Sequence, residues 1–267
     1  MSISLLTPAQ ISALSTTVIQ GLSVTEIQSL SSTQVGAINT SGIAVIDATQ
    51  LAALSATQVR GLTVTQIPNI SSSLSFLTSQ LLVLNGQQMA ALTSTQLDNI
   101  ATSDIAALST TQLNALNTTN FSSLDSAQIG ALTTTQVGGF TSTGLAAFTT
   151  TQLAGLTAVE VGALTSTQAS GLTTTQIGAL TVTQMGGIKA ASLTGMTTTQ
   201  LGTFDATQVG GLSTTAIAAL TTTILSGLTT TQVGGLTSTQ VGAITTTQAT
   251  SLTTTQLAAL TTTQVGG

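Results

Sequence analysis

The sequence predicts an all-α fold, a solenoid or superhelix of very short capped helices, one per eight-residue repeat. Three observations point to it. A large apolar residue recurs at every eighth position. Ser, Thr, Asn or Asp follows it almost without exception, and Gln usually stands three residues further on. Six of the seven acidic residues fall on those two positions. A β-solenoid with octapeptide faces is the alternative, resting on the β-branched TTT runs that favour pleated structure.

The apolar anchors run Leu6, Leu14, Leu22, Leu30, Ile38, Ile46, Leu54, Leu62 and Ile70, then continue from Leu84 every eight residues to Leu260. Between Ile70 and Leu84 lie two seven-residue units. Residues 1–267 therefore read as a single repeat array: octads over 6–69, two heptad units forming a defect over 70–83, and octads over 84–267. Pro68 and Asn69 precede the defect, and Pro68 lacks the N–H that a helix there would use. A local kink or altered packing is expected at 70–84, followed by the regular path.

With the anchor as slot one, slot two is the N-cap, whose side-chain oxygen accepts a first-turn backbone N–H. Only Ala101 and Lys189 break this pattern among the octads. Slot five, the third helical residue, is glutamine in most octads, so T-x-x-Q and S-x-x-E spell a capping box. Asp47, Asp125 and Asp205 occupy slot two, and Glu26, Asp104 and Glu160 occupy slot five. A helix N-terminus favours negative charge at both. Pro8 sits at slot three, the first helical position, where its missing N–H costs nothing.

Slot six is apolar again, as in Ile11, Val35 and Val137, and lies three residues before the next anchor. The two share one face of a helix. In a continuous strand they would point to opposite faces, so the β-solenoid needs a corner between them. One continuous helix is excluded, because eight residues advance about 800° and the anchor stripe would drift by about 80° per repeat. The chain must break at each cap. Slot eight is small, as in Ala13, Gly21 and Ala37. This is expected to let consecutive segments approach closely, with glycine allowing unusual helix-end dihedrals. A single unit buries too little to fold alone, so stacking must hold it.

Composition narrows function. Only 3% of residues are charged, there is no His, Cys, Trp or Tyr, and hydrophobic residues reach 41% with a mean hydropathy of +0.50. The net charge is -5 and Arg60 and Lys189 are the only cations, so no basic surface exists to neutralise nucleic-acid phosphates. No apolar run approaches the roughly 18 residues that span a bilayer, and membrane insertion is not expected. Nucleophilic catalysis needs a base beside a Ser or Cys, and with no His and a single lysine no enzyme is expected. No catalytic, cofactor-binding or metal-binding residue is assigned, and no cofactor. Asp98 and Asp104 are the closest acids, and a solvated surface accounts for them. Asn39 and Asn117 begin sequons of the kind that arise by chance in such a composition. Phe140 and Phe148 occupy anchor slots and read as core. The opening MSISLLTPAQ carries no cleavable secretory signal.

The phrases LTPAQISAL, LTTTQLAAL and LTSTQVGAI resemble the Thr/Gln-rich octapeptide-repeat arrays of long bacterial secreted and surface proteins, and the resemblance covers nearly the whole chain. It implies an extracellular or cell-surface location, export without a cleaved N-terminal signal, and a cell-surface anchor. A type I secretion route would need a C-terminal signal, whereas the chain ends inside a repeat at Gly267. Repeat-like ends and a nearly uncharged surface point to self-association, end to end and laterally through slots three and seven, into a filament, sheath or matrix, or to an adhesin stalk. A Thr-rich module binding ice, glycan or mineral is the alternative.

Overall fold

A computed structural model describes residues 2–266. Among them the chain forms 31 α-helices of four to six residues, two 3-10 turns and no strand. The helical reading therefore holds and the β-solenoid does not. Parity decides against the strand: the buried slots six and one lie on one side of the chain only if it coils between them.

Each helix begins where the octad predicts. Ser55 caps Ala56–Arg60: its Oγ accepts from Gln58 N–H at 3.3 Å, and its own N–H donates to Gln58 Oε1 at 2.8 Å. Each ends at the next anchor, whose N–H reaches back only three residues. Leu30 N–H donates to the Ile27 carbonyl at 3.2 Å, and Leu30 itself is extended, with φ -70° and ψ 141°. The chain thus leaves helical geometry once per octad.

The chain comprises two compact units, Met1–Ala131 and Leu132–Gly267. In each, a helix packs on the third helix after it. In the first unit Pro8–Ser12 packs on Ser32–Ala37, and that helix on Ala56–Arg60. In the second, Ser142–Ala146 packs on Ser166–Gly171, and that helix on Ala190–Gly195. Three octads therefore make one turn of each solenoid. Slot six fills the centre, as with the fully buried Ile11, Ile19, Leu113, Ile177 and Leu193, and the anchors close around it.

Slot eight is small for a different reason from the one expected. None of the described glycines, nor any other described residue, has positive φ; Gly61, for example, sits at φ -77° and ψ -15°. The constraint is space, and the neighbour lies a full turn away rather than in the consecutive segment. A Cβ on Gly171 would stand 2.7 Å from Ser142 Cβ, and one on Gly195 2.7 Å from Ser166 Cβ. Gly61 meets Ser32, Gly187 meets Ala158 and Gly235 meets Ala206 in the same way. Slot eight of one octad thus lies on slot three of the octad one turn before.

The irregular region differs in detail from two heptads. Phe76 is buried while Leu77 is 48% exposed, and Leu77 N–H donates to Gln80 Oε1 at 2.9 Å. Phe76 therefore fills the anchor slot and Leu77 the N-cap position, so a full octad resumes at Phe76. Both missing residues come from Ile70–Ser75, which forms a turn and no helix. The octad before it, holding Pro68, replaces its α-helix by the 3-10 turn Ile67–Asn69.

Two glycines test the packing argument. Gly187→Ala should destabilise by about 1–3 kcal/mol, because its Cβ would press on the Ala158 backbone. Gly178→Ala meets nothing within 4 Å and should stabilise by about 0.4–1 kcal/mol. Thermal unfolding of the two variants against wild type gives opposite signs if slot eight is a packing constraint and slot seven, at this position, is not.

Candidate functional site

Every helix here is so short that most of its backbone groups lie at one end or the other, where no intrahelical partner exists. Slot-five glutamine serves both ends. Its Oε1 accepts the N-cap N–H of its own helix. Its Nε2 donates to carbonyls at the end of a helix one turn earlier. In the first unit Gln58 Nε2 reaches the Ile27 and Leu30 carbonyls at 2.7 and 2.8 Å. In the second, Gln184 Nε2 reaches the Leu153 and Leu156 carbonyls, both at 2.7 Å, while Thr181 N–H donates to Oε1 at 2.9 Å. These glutamines are almost fully buried. The capping half was legible in the sequence. The bridging half was not, because nothing in a single octad says that a carboxamide looks outward from its own helix.

The rung survives changes of residue. Slot five is Gly42 in the octad of Ile38, and there the N-cap Asn39 takes over both tasks: Oδ1 accepts from Gly42 N–H at 2.8 Å, and Nδ2 donates to the Ser12 and Leu14 carbonyls at 2.9 and 3.1 Å. Asn120 donates to the Leu92 carbonyl at 2.6 Å, and Ser192 Oγ to the Leu164 carbonyl at 2.7 Å. It also crosses the irregular region. Gln80 bonds Leu51 and Leu54, 29 and 26 residues back, whereas Gln112 bonds Leu81 and Leu84, 31 and 28 back. The two lost residues are absorbed with no rung dropped at Gln80, Gln88 or Gln96.

The acids lie where the cap pattern places them. Asp47, Asp125 and Asp205 accept the N–H of Gln50, Gln128 and Gln208 at 2.7–2.8 Å. Glu160 accepts Thr157 N–H at 2.7 Å. Asp98 is exposed at the end of its helix, and Asp104 accepts Thr78 Oγ1 at 2.5 Å. No group of three metal-ligating side chains exists among the described residues. Phe140 and Phe148 are buried and meet edge to face, with centroids 5.6 Å apart. No helix among the described residues is long and apolar enough to cross a membrane.

What the solenoid offers to other molecules lies on its outside. Slot-four threonines come round once per turn: Thr151, Thr175, Thr199, Thr223 and Thr247 are all exposed in the second unit. A second feature is apolar. Val241, Ile244, Ala249, Leu252, Leu257, Leu260 and Val265 line an open hollow on the turn that they form, with Leu257 48% and Val265 66% exposed. They occupy slots six and one, the positions whose carbonyls accept carboxamides in the turns before, as Val209 and Leu212 accept Gln240.

These features define a helical repeat protein. Residues 97–134 match the family model of the ALTTAQ repeat, less than half of the chain. No curated protein matches the sequence.

Two variants probe the caps and the rungs. Gln184→Ala strands one N–H and two carbonyls, each buried, and should cost about 3 kcal/mol or more at roughly 1–3 kcal/mol per group. Exposed Thr183→Ala should stay within about 0.5 kcal/mol. Amide exchange should locate the Gln184 loss at Leu153–Leu156 as well as at Thr181. Glu26 is exposed and accepts both Ser23 N–H and Ser23 Oγ, at 2.9 and 2.7 Å. These bonds hold its pKa below the ordinary glutamate value. Its contribution is therefore present above the unfolded-state pKa and lost as pH falls through the folded one. Glu26→Gln should remove that acid-side loss, read as a smaller fall of Tm between neutral pH and the acid side of the glutamate range.

Proposed function

We propose that this chain is a non-enzymatic structural repeat protein of the cell exterior, exported without a cleaved N-terminal signal. In this reading it associates with its own copies into a filament, sheath or matrix, or forms the stalk of an adhesin held by a cell-surface anchor. One observation carries the reading: the apolar hollow of Val241, Ile244, Leu252, Leu257 and Leu260 is shaped like the seat that each inner turn offers to the next. A further turn of the same repeat fits it, and a second copy supplies one. The turn of Leu6–Ser29 presents Gln10, Val18 and Glu26 at slot five. Gln10 has a free Nε2 donor and Val18 is 45% exposed, while Glu26 brings no carboxamide donor. Such a joint is mostly apolar and weaker than an inner one, so association is concentration-dependent. Low surface charge opposes it little.

The exposed threonine row favours a second reading, a surface-binding module for ice, glycan or mineral. Stacked helices repeat at roughly 8–10 Å, which gives the hydroxyls a regular spacing.

Light scattering and electron microscopy at increasing concentration separate the two. Self-association into extended particles is expected for wild type, with Leu257→Glu and Val265→Lys together blocking it while the helical circular dichroism is retained. Lys at Gly138, Gly186 and Gly234 should weaken lateral contact only. A chain that stays monomeric at every concentration sinks the assembly reading and leaves surface binding as the better one.

A further inference from the structure

The array breaks its hydrogen-bond rung at one place where a cavity also opens. Slot five of the octad at Ile100 is Asp104. Elsewhere the slot-five side chain reaches the anchor carbonyl 28 residues back, as Gln112 reaches Leu84 and Gln128 reaches Ile100. The anchor 28 residues before Asp104 is Phe76, at the point where the octad resumes after the six-residue unit. Aspartate is one methylene shorter than glutamine and has no N–H to offer. Among the described residues the Phe76 carbonyl accepts no hydrogen bond. The Asp104 carboxylate turns instead to Thr78 Oγ1 at 2.5 Å.

The missing helix of Ile70–Ser75 and the missing carboxamide together leave a cavity of about 170 Å³, lined among others by Leu74, Phe76, Gln96, Asn99 and Asp104. A single water needs only about 10–15 Å³ on the same measure, while drug-sized ligands take roughly 300–1,000 Å³. The volume suits a small organic group. Its polarity is one-sided. Gln96 spends Nε2 on the Ile67 and Ile70 carbonyls at 2.9 Å each, and Asn99 spends Nδ2 on those of Ser72 and Thr95 at 2.6 and 3.1 Å. What remains for an occupant of these groups is acceptors, a carboxylate and a carbonyl, beside an apolar wall.

We propose that this cavity is a binding site for a small organic cation with N–H donors, an alkylammonium group, which restores the missing rung. The ammonium donates to Asp104 and to the Phe76 carbonyl, and its alkyl part lies against Leu74 and Leu81. The nitrogen takes the role that carboxamide Nε2 plays in the other rungs, which favours an N–H cation over a metal ion. The group comes either from a free amine or from the lysine side chain of a partner.

The test is an amide NMR titration of the full chain with methylammonium chloride, matched against sodium chloride, calcium chloride and an acetyl-Gly-Lys-Gly-amide peptide. Saturable shifts confined to Leu74–Phe76 and Asn99–Asp104 are expected with methylammonium. The peptide matches or exceeds it only if the lysine side chain is the source. Asp104→Asn keeps the shape but removes the charge-assisted hydrogen bond, and should weaken binding at least about tenfold. Asp104→Gln rebuilds the rung, so it should raise Tm and abolish binding, which separates loss of the site from loss of the fold. Equal shifts with sodium or calcium chloride, no saturable shift, or unchanged binding in Asp104→Gln would each overturn the proposal.

Discussion

A helix of five residues is nearly all ends. In water its unpaired N–H and carbonyl groups are solvated; inside a stack they must find partners or cost free energy. The slot-five carboxamide resolves this because one planar group carries an acceptor and a two-proton donor. Gln58 takes the Ser55 N–H on Oε1 and gives Nε2 to the Ile27 and Leu30 carbonyls. It thereby satisfies the start of one helix and the end of another one turn away. Glutamate could only do the first. Asparagine is too short from slot five to resemble glutamine closely, which is why Asn39 bridges from slot two. The near absence of charge follows: a buried carboxamide needs no counter-ion, and a buried carboxylate or ammonium would.

The same rung fixes how the chain coils. A bridge to carbonyls 28 and 31 residues back forces octads three apart to lie against each other. Slot eight then meets slot three of the preceding turn, and the contact leaves no room for a side chain at Gly171 or Gly195. Slots six and one are left facing inward, slot four outward. Leu, Thr, Gln and Gly in the recurrent phrase thus answer four separate demands: burial, capping and solvation, bridging, and clearance.

How much of this was legible divides along a physical line. Features closed within one octad could be read: the caps at Thr7 and Asp47, the buried pairing of slots six and one, the acids at helix starts. Features that join octads could not. Nothing in LTTTQVGG states that three such units make a turn, since every octad looks alike whichever neighbour it touches. The small slot eight was visible, but its partner was misplaced for that reason. The irregular region was ambiguous in sequence because Phe76 and Leu77 are both apolar and either could anchor. Only the hydrogen bond from Leu77 N–H to Gln80 shows which one is buried. The substitution of Asn39 for a glutamine did leave a trace, an Asn at slot two coinciding with Gly at slot five.

Continuity of the rung, rather than continuity of helix, is what this architecture protects. Around Pro68 the α-helix is gone, yet Gln66 still bridges Thr63 N–H to the Val35 and Ile38 carbonyls at 2.7–2.8 Å. Around Ile70 a whole helix is gone, and Gln96 still reaches Ile67 and Ile70. Each interior turn is filled by its own slot-six side chains and closed by its own carboxamides, so a regular octad has no space to enclose a ligand. Chemistry has two places to appear: on the outer rows that slots three, four and seven present, or where a rung fails and its backbone acceptors face a void. Asp104 marks the second kind of place, and a single methylene and amide separate it from an ordinary turn of the stack.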